Sequence, residues 1–162
     1  MATTDWRKER VIVMSDAINK ILDTFTCFHD GVIEEYEGDS KKLVLKIGCT
    51  YLAELIEPTF DYFFVEFKNV ILFEFEGWLV GELGNEIINN IENIIKLQPE
   101  ILSADIEGNY IEILCNADYA ENFKQGLLKL NSEEITIYNQ DKVEISLVSL
   151  EQLCSQYWNK HN

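Results

Sequence analysis

Histidine, the side chain that most often transfers protons near neutral pH, occurs only twice, as His29 and His161. His161 is the last residue but one, and chain ends commonly fray. A Ser-His-Asp or Cys-His arrangement would therefore have to use His29, but the chain has no Gly-x-Ser-x-Gly motif and no cysteine in an electropositive setting. The residues thus exclude most reactions that depend on a histidine base, and no catalytic residue is predicted.

The dipeptide His29-Asp30 is similar to the metal-binding pair of HD phosphohydrolases. That site needs further histidines and an aspartate on helices, whereas this pair opens a predicted strand, so we discard the metal interpretation. The favoured interpretation is a structural pair that hydrogen-bonds at a helix-to-strand corner, with Gly31 supplying backbone freedom. A functional polar site at a sheet edge is the alternative, and His29 and Asp30 are kept as candidate interaction residues.

Motifs for metals and cofactors are missing from the sequence. The four cysteines are Cys27, Cys49, Cys115 and Cys154. They have no Cys-x-x-Cys spacing, so zinc is not indicated and free buried thiols are expected. The glycines fit neither the dinucleotide-binding nor the P-loop pattern. No cofactor is predicted, although a site built from carboxylates alone, for sugar hydrolysis or calcium, stays open in so acidic a chain.

The charge of the chain limits its partners. It has 29 acidic and 13 basic residues, which give a net charge of -16 and a pI near 4.4. Such a field repels nucleic acid and anionic membranes and attracts a basic protein, although acidity also serves solubility alone. No apolar stretch approaches the roughly 20 residues of a membrane helix, and no secretory leader is recognised. A cytoplasmic protein is expected.

Aromatic residues cluster between Phe60 and Phe75 and are followed by Trp78. Both faces of the first strand in this range are apolar, so we expect it to be central or covered on both sides, and a turn or a bulge is needed at Asn69. The cluster is typical of a core, while a groove for sugar or peptide is the alternative. Trp78 and the rim of Glu74 and Glu76 are the candidate anchor for a protein partner.

Hydrophobic periodicity predicts helices over Asp5–Phe25 and Asn85–Leu97 and a short C-terminal helix capped at Ser149. About eight strands, mostly in hairpins, are predicted between them. Residues Ala117–Leu130 fit a helix, and equally Gly126 fits the opening of a strand from Leu127. The pattern indicates an α+β fold, a mainly antiparallel sheet covered by N-terminal, central and C-terminal helices. A single domain over residues 1–162 is expected, because no linker interrupts the chain.

Three segments carry a resemblance to a known group of proteins. They are Cys27–Ile33, Tyr51–Ile56 running into Phe63–Val70, and Glu144–Leu147 continuing through Tyr157-Trp158. Together they resemble small bacterial proteins that have a Phe-His-Asp strand and a C-terminal Tyr-Trp helix, some of which look like immunity proteins encoded beside polymorphic toxins. The resemblance implies a cytoplasmic, non-enzymatic protein that neutralises a basic toxin, and it brings no catalytic residues. The alternatives are a small carboxylate-based hydrolase, with or without a metal, and a homo-oligomeric structural protein such as a homodimer.

Overall fold

The computed structural model describes residues 17–81 and 84–161. The strands in this part of the chain are β1 (Val32–Gly38), β2 (Lys42–Gly48), β3 (Tyr62–Leu79), β4 (Asn85–Ile88), β5 (Glu100–Glu107), β6 (Tyr110–Asn116), β7 (Phe123–Tyr138) and β8 (Glu144–Ile145). The helices are α1, with described residues 17–27, α2 (Thr50–Ala53), α3 (Ile91–Lys96) and α4 (Leu147–His161). The predicted N-terminal helix is confirmed from residue 17 onward, and its first part lies outside the described residues.

All eight described strands belong to one antiparallel sheet in the order β4-β3-β2-β1-β5-β6-β7-β8. Strand β3 also pairs with β7, so the pairings close into a ring in which β1 meets β5 through Val32 and Glu100. The predicted α+β fold with an antiparallel sheet and helices at both ends is therefore confirmed. The expected hairpins include β5 and β6, which pair antiparallel on either side of the Gly108-Asn109 turn.

The ring depends on the two longest strands, β3 and β7, which pair along most of their lengths. The turn alternative at Asn69 is wrong, because β3 runs through this residue, which has a φ of 54°, and keeps its register with β7 from Lys68 to Val70. The bulge or irregularity in the pairing lies just beyond it, between Val70 and Leu72. Ser132 on β7 is buried and donates a 2.8 Å hydrogen bond to the Lys68 carbonyl. The first half of β3 pairs with β2, and its second half pairs with β4.

The hydrophobic core lies against the inner side of the ring. The fully buried residues from the first half of β3 are Phe63, Val65 and Phe67. The expectation that this strand is central is confirmed, but its other face is only half buried. There the lysines cover the rings, with Lys46 Nζ 4.2 Å from the centroid of Tyr62 and Lys142 Nζ 5.4 Å from that of Phe64.

The predicted helix over Asn85–Leu97 is wrong in its first half. Residues Asn85–Ile88 form β4, which pairs with the end of β3, and only Ile91–Lys96 are helical. Asn90 separates the two elements, because its side chain accepts a hydrogen bond from Asn93 N and caps the helix. The edge of β3 offers backbone partners to the preceding β-branched residues, and this pairing outweighs their helical spacing.

The remaining ambiguities are settled at the C-terminal end. The strand alternative for Ala117–Leu130 is confirmed, but β7 begins at Phe123, before the expected start at Leu127. Helix α4 begins at Leu147 rather than at a Ser149 cap, since Ser146 Oγ accepts the hydrogen bond from Ser149 N. Within residues 17–81 and 84–161, no helix has both the length and the apolar character needed to cross a membrane.

Candidate interaction surface

His29 and Asp30 form the corner between α1 and β1 rather than the start of the strand, which begins at Val32. His29 Nδ1 donates to the Leu102 carbonyl on β5 over 2.5 Å, and its Nε2 lies 3.6 Å from Asp30 Oδ2. The backbone N–H of Asp30 donates to the Ile101 carbonyl over 2.7 Å. The pair therefore ties the corner to β5 at the point where the ring of strands closes.

Backbone freedom at this corner is needed at Asp30, and the expectation that Gly31 supplies it is wrong. Asp30 has a φ of 68°, in the left-handed region that aspartate tolerates better than most residues. Gly31 is required for another reason, because a Cβ there would lie 2.8 Å from the Phe28 carbonyl oxygen and 3.3 Å from that of Gly48. The glycine allows two backbone segments to approach each other closely.

The C-terminal Tyr-Trp pair packs onto the same corner. The ring centroid of Trp158 lies 6.2 Å from that of His29, and the centroid of Tyr157 lies 4.4 Å from that of Tyr51. Tyr51 in turn donates its hydroxyl hydrogen to the His29 carbonyl over 2.5 Å. The segments that carry the sequence resemblance thus meet in space, where they fasten α4 to the junction of α1, β1 and β5.

The cysteines are free, as predicted, and Cys27, Cys49 and Cys115 are buried, whereas Cys154 is half buried. Burial raises the pKa of Cys27, Cys49 and Cys115 to about 12, and the neighbouring Cys154 adds to the effect at Cys27. A thiol with such a pKa stays protonated near neutral pH and is a poor nucleophile. These groups therefore support the core rather than a reaction.

Raising the pH above 9 is expected to destabilise the protein. Unfolded thiols ionise near the ordinary pKa of 9.0, whereas folded Cys115 keeps its proton up to about 12. The stabilisation is therefore complete below pH 9 and is lost progressively as the pH rises toward 12. Denaturant midpoints measured from about pH 7 to about pH 11 test this. In Cys115→Ala the decline should be shallower than in the parent, and an equally steep decline would contradict the assignment.

The outer face of β3 carries Glu74 and Glu76, which lie opposite β7. Glu76 Oε2 lies 2.8 Å from Lys129 Nζ, with both side chains 19% exposed, and Asn85 Nδ2 donates to Glu76 Oε1. The hydrogen bond that Lys129 donates to Glu76 raises the pKa of Lys129 above its usual value. Glu74 lies directly opposite Lys129 in the strand register of β3 and β7. This lysine therefore offsets much of the negative charge that the sequence places beside Trp78.

Trp78 is 39% exposed and belongs to a group of exposed apolar side chains at the β3–β4 end of the molecule. We call this group the end patch; its members are Trp78, Val80, Ile87 and Tyr119. Val80 follows β3 directly, Ile87 lies on β4, and Tyr119 lies in the loop that leads into β7. Exposed aromatic and aliphatic groups gathered in one place are typical of a surface that contacts another protein.

A cleft of about 620 Å³ opens beside the end patch, between the β4–α3 segment and the loop before β7. We call it the acidic cleft. Its floor consists of Ile88, Leu97, Ala120 and Phe123, and its polar walls consist of Glu86, Asn89, Asn90, Asn93, Glu121 and Asn122. Glu86, Glu121 and Asn122 also line a second cleft that reaches Val80. Among the described residues that line the two clefts there is no lysine or arginine.

No protein-family model, curated protein or solved structure matches the chain. Within the described ranges, no group of three or more His, Cys, Asp or Glu side chains is arranged to hold a metal ion. The polar atoms of the acidic cleft are carboxylate and amide groups, which together accept many hydrogen bonds. This arrangement is suited to a ligand that carries many hydrogen-bond donors.

The structure keeps the predicted site residues in two separate places. His29 and Asp30 lie at the α1–β1 corner, while Glu74, Glu76 and Trp78 lie together on β3, and no described hydrogen bond, ion pair or ring contact joins the two groups. Sequence reasoning missed the rest of the end patch and both glutamates of the cleft. Ile87 was assigned to a helix, and Tyr119 lies in the segment left ambiguous, so Trp78 was the one available signal.

Proposed function

We propose that this chain is a non-enzymatic binding protein that neutralises a basic protein, as an immunity protein neutralises its toxin. The observation that carries the proposal is the end patch, in which exposed Trp78 and Ile87 share the outer face of the β3–β4 pair and exposed Tyr119 lines the neighbouring acidic cleft. Interfaces concentrate their binding energy in a few aromatic and arginine side chains that become buried on contact. The end patch provides such anchors on this chain.

Electrostatics support a basic partner. With a net charge of -16, the chain attracts a cationic protein from a distance and repels nucleic acid. Glu86 and Glu121 form no ion pair with any residue in the described ranges, unlike Glu76, which Lys129 neutralises. These two carboxylates are therefore available to a partner, and a nuclease-like toxin with a basic surface is the class of partner that fits.

The contacts of the titratable groups also favour binding over catalysis. The His29 ring is engaged with the Leu102 carbonyl, and the buried thiols stay protonated. The cytoplasm is the compartment that we propose, since free thiols persist there.

Replacing Trp78 with alanine is expected to weaken binding of the basic partner at least about 30-fold, or ~2 kcal/mol, because a large anchor is lost. The partner is first captured in the native host by a photo-crosslinking amino acid at position 119. We expect the adduct to contain a basic protein whose toxicity is relieved by co-expression of this chain. Calorimetry on the purified pair then gives the change in affinity.

Tyr36 provides the matched control, because it is 36% exposed and lies on β1, away from the end patch. A crosslinker at position 36 should capture no basic protein, and Tyr36→Ala should leave the affinity within about twofold. Equal capture at both positions, or an acidic protein at position 119, would refute the proposed surface.

A further inference from the structure

We infer that the acidic cleft is the binding site for an arginine side chain of the partner. The inference rests on the proposed function for the source of the arginine, and on the cleft alone for its chemistry. The cleft carries two carboxylates, four asparagine amides, an apolar floor and an exposed tyrosine at its rim, and none of its described lining residues is cationic. Each of these features matches one part of an arginine side chain.

The walls of the cleft match the guanidinium group. Glu86 stands on β4 and Glu121 on the loop before β7, and both line the cleft, so two separate segments of the chain supply its carboxylates. Asn122 adds an amide next to Glu121, whereas Asn90 is already occupied in capping α3. A guanidinium is planar and has five N–H donors and no acceptor, which allows it to bond several such oxygens at once. A lysine ammonium has three donors on one atom and would satisfy fewer of them.

The floor and the rim match the rest of the side chain. Ile88 and Phe123 lie at the bottom of the cleft and offer apolar contact to the methylene groups that join the guanidinium to the backbone. Tyr119 is 73% exposed at the rim, where its ring is free to stack on a guanidinium plane. A cleft of about 620 Å³ holds one such side chain together with part of the segment that carries it.

A second groove on the outer face of β2 and β3 shows why the cation goes to the acidic cleft. That groove, of about 320 Å³, is lined by Phe64 and Glu66 but also by Lys42 and Lys142. Lys142 lies over the Phe64 ring, and Lys42 Nζ lies 3.8 Å from Glu66, so the groove supplies its own cations. An incoming arginine would have to displace them, whereas in the acidic cleft it meets carboxylates that have no described ion-pair partner.

The test is a titration of the isotope-labelled protein with N-acetyl-arginine N-methylamide, followed by NMR, which requires no knowledge of the partner. We expect saturable shifts at the backbone amides of residues 86–90 and 119–122, with a dissociation constant in the millimolar range. The capped lysine should bind more weakly, and the capped citrulline, which has the same shape without the charge, should not bind. The double variant Glu86→Gln/Glu121→Gln should weaken arginine binding about tenfold or more.

The control is the double variant Glu54→Gln/Glu151→Gln, which removes the same charge from exposed positions outside the cleft and should bind arginine as the parent does. Absence of saturable shifts, equal binding of citrulline, or an equal loss in the control would overturn the inference. The proposed function fails separately, if no basic protein is captured at position 119. A captured partner whose affinity needs Trp78 but not Glu86 or Glu121 would leave the function standing and refute the arginine site.

Discussion

Phe28→Ala is expected to lower the free energy of unfolding by about 4 kcal/mol, as truncation of a fully buried phenylalanine commonly does. Phe28 has no exposed surface, and its ring centroid lies 5.2 Å from that of Phe63. Its carbonyl accepts the 2.8 Å hydrogen bond from Gly31 N that forms the α1–β1 corner. The cavity would therefore open beneath the junction that also holds α4. Denaturant unfolding followed by circular dichroism measures the change.

The neighbouring variant His29→Ala is the control for this prediction. It removes one hydrogen bond to the Leu102 carbonyl and a side chain that is 42% exposed, so its cost should be about 1 kcal/mol. In the Phe-His-Asp motif, Phe28 would then be mainly a core residue, and His29 a half-exposed residue that holds the corner to β5 by one hydrogen bond. An effect of His29→Ala as large as that of Phe28→Ala would contradict this division and show that the contacts of His29 with Leu102 and Trp158 stabilise the corner as strongly as the core does.

Gly126→Ala is expected to destabilise the protein by about 3 kcal/mol through overpacking. A Cβ at this position would overlap the Glu76 carbonyl oxygen and lie 2.6 Å from the Phe75 ring. The obstacle includes backbone, so relief requires β3 to move away from β7. Because Trp78 lies two residues beyond Glu76 on the displaced strand, the variant should also weaken partner binding. Thermal and denaturant unfolding, with calorimetry of the complex, measure both effects.

Gly108→Ala is the matched control for the glycine prediction. Gly108 lies in the β5–β6 turn with a φ of 60°, and a Cβ there would meet no atom within 4 Å. Its cost is the left-handed backbone alone, about 1 kcal/mol, and partner binding should not change. If the two variants were equally stable, close strand contact at Gly126 would not be the reason for a glycine there.

Local sequence signals predicted the elements whose hydrogen bonds are local. The Gly108-Asn109 turn and the alternation on either side of it specify a hairpin, because both strands and their turn occupy one short stretch of chain. Leu150 and Tyr157 likewise mark the inner face of α4 through helical spacing alone. The backbone structure at Asn69 could not be predicted from local signals alone. A turn and a bulge fit the sequence equally, and β7 excludes the turn by pairing with β3 at both Lys68 and Val70.

The interaction surface shows where local signals end. Ile87 and Ile88 have a helical spacing, but the open edge of β3 draws them into a strand, and this exposes Ile87. In the sequence, Glu76 is a carboxylate beside Trp78 with no evident partner, but folding brings Lys129 to within 2.8 Å of it. Glu86 and Glu121, which carry no signal in the sequence, become walls of one cleft because β4 and the loop before β7 both lie at the end of β3.

The amino-acid sequence alone therefore established the acidity of the chain, its lack of catalytic and cofactor motifs, its α+β class and most of its hairpins. Tertiary pairing established the ring of strands, the role of the Phe-His-Asp corner, and the assembly of the end patch beside the acidic cleft. The physical reason is the distance along the chain over which each kind of interaction acts. Composition and alternation act on single residues and near neighbours, whereas the pairing of β3 with β4 and β7 determines which distant charges are neutralised and which remain exposed.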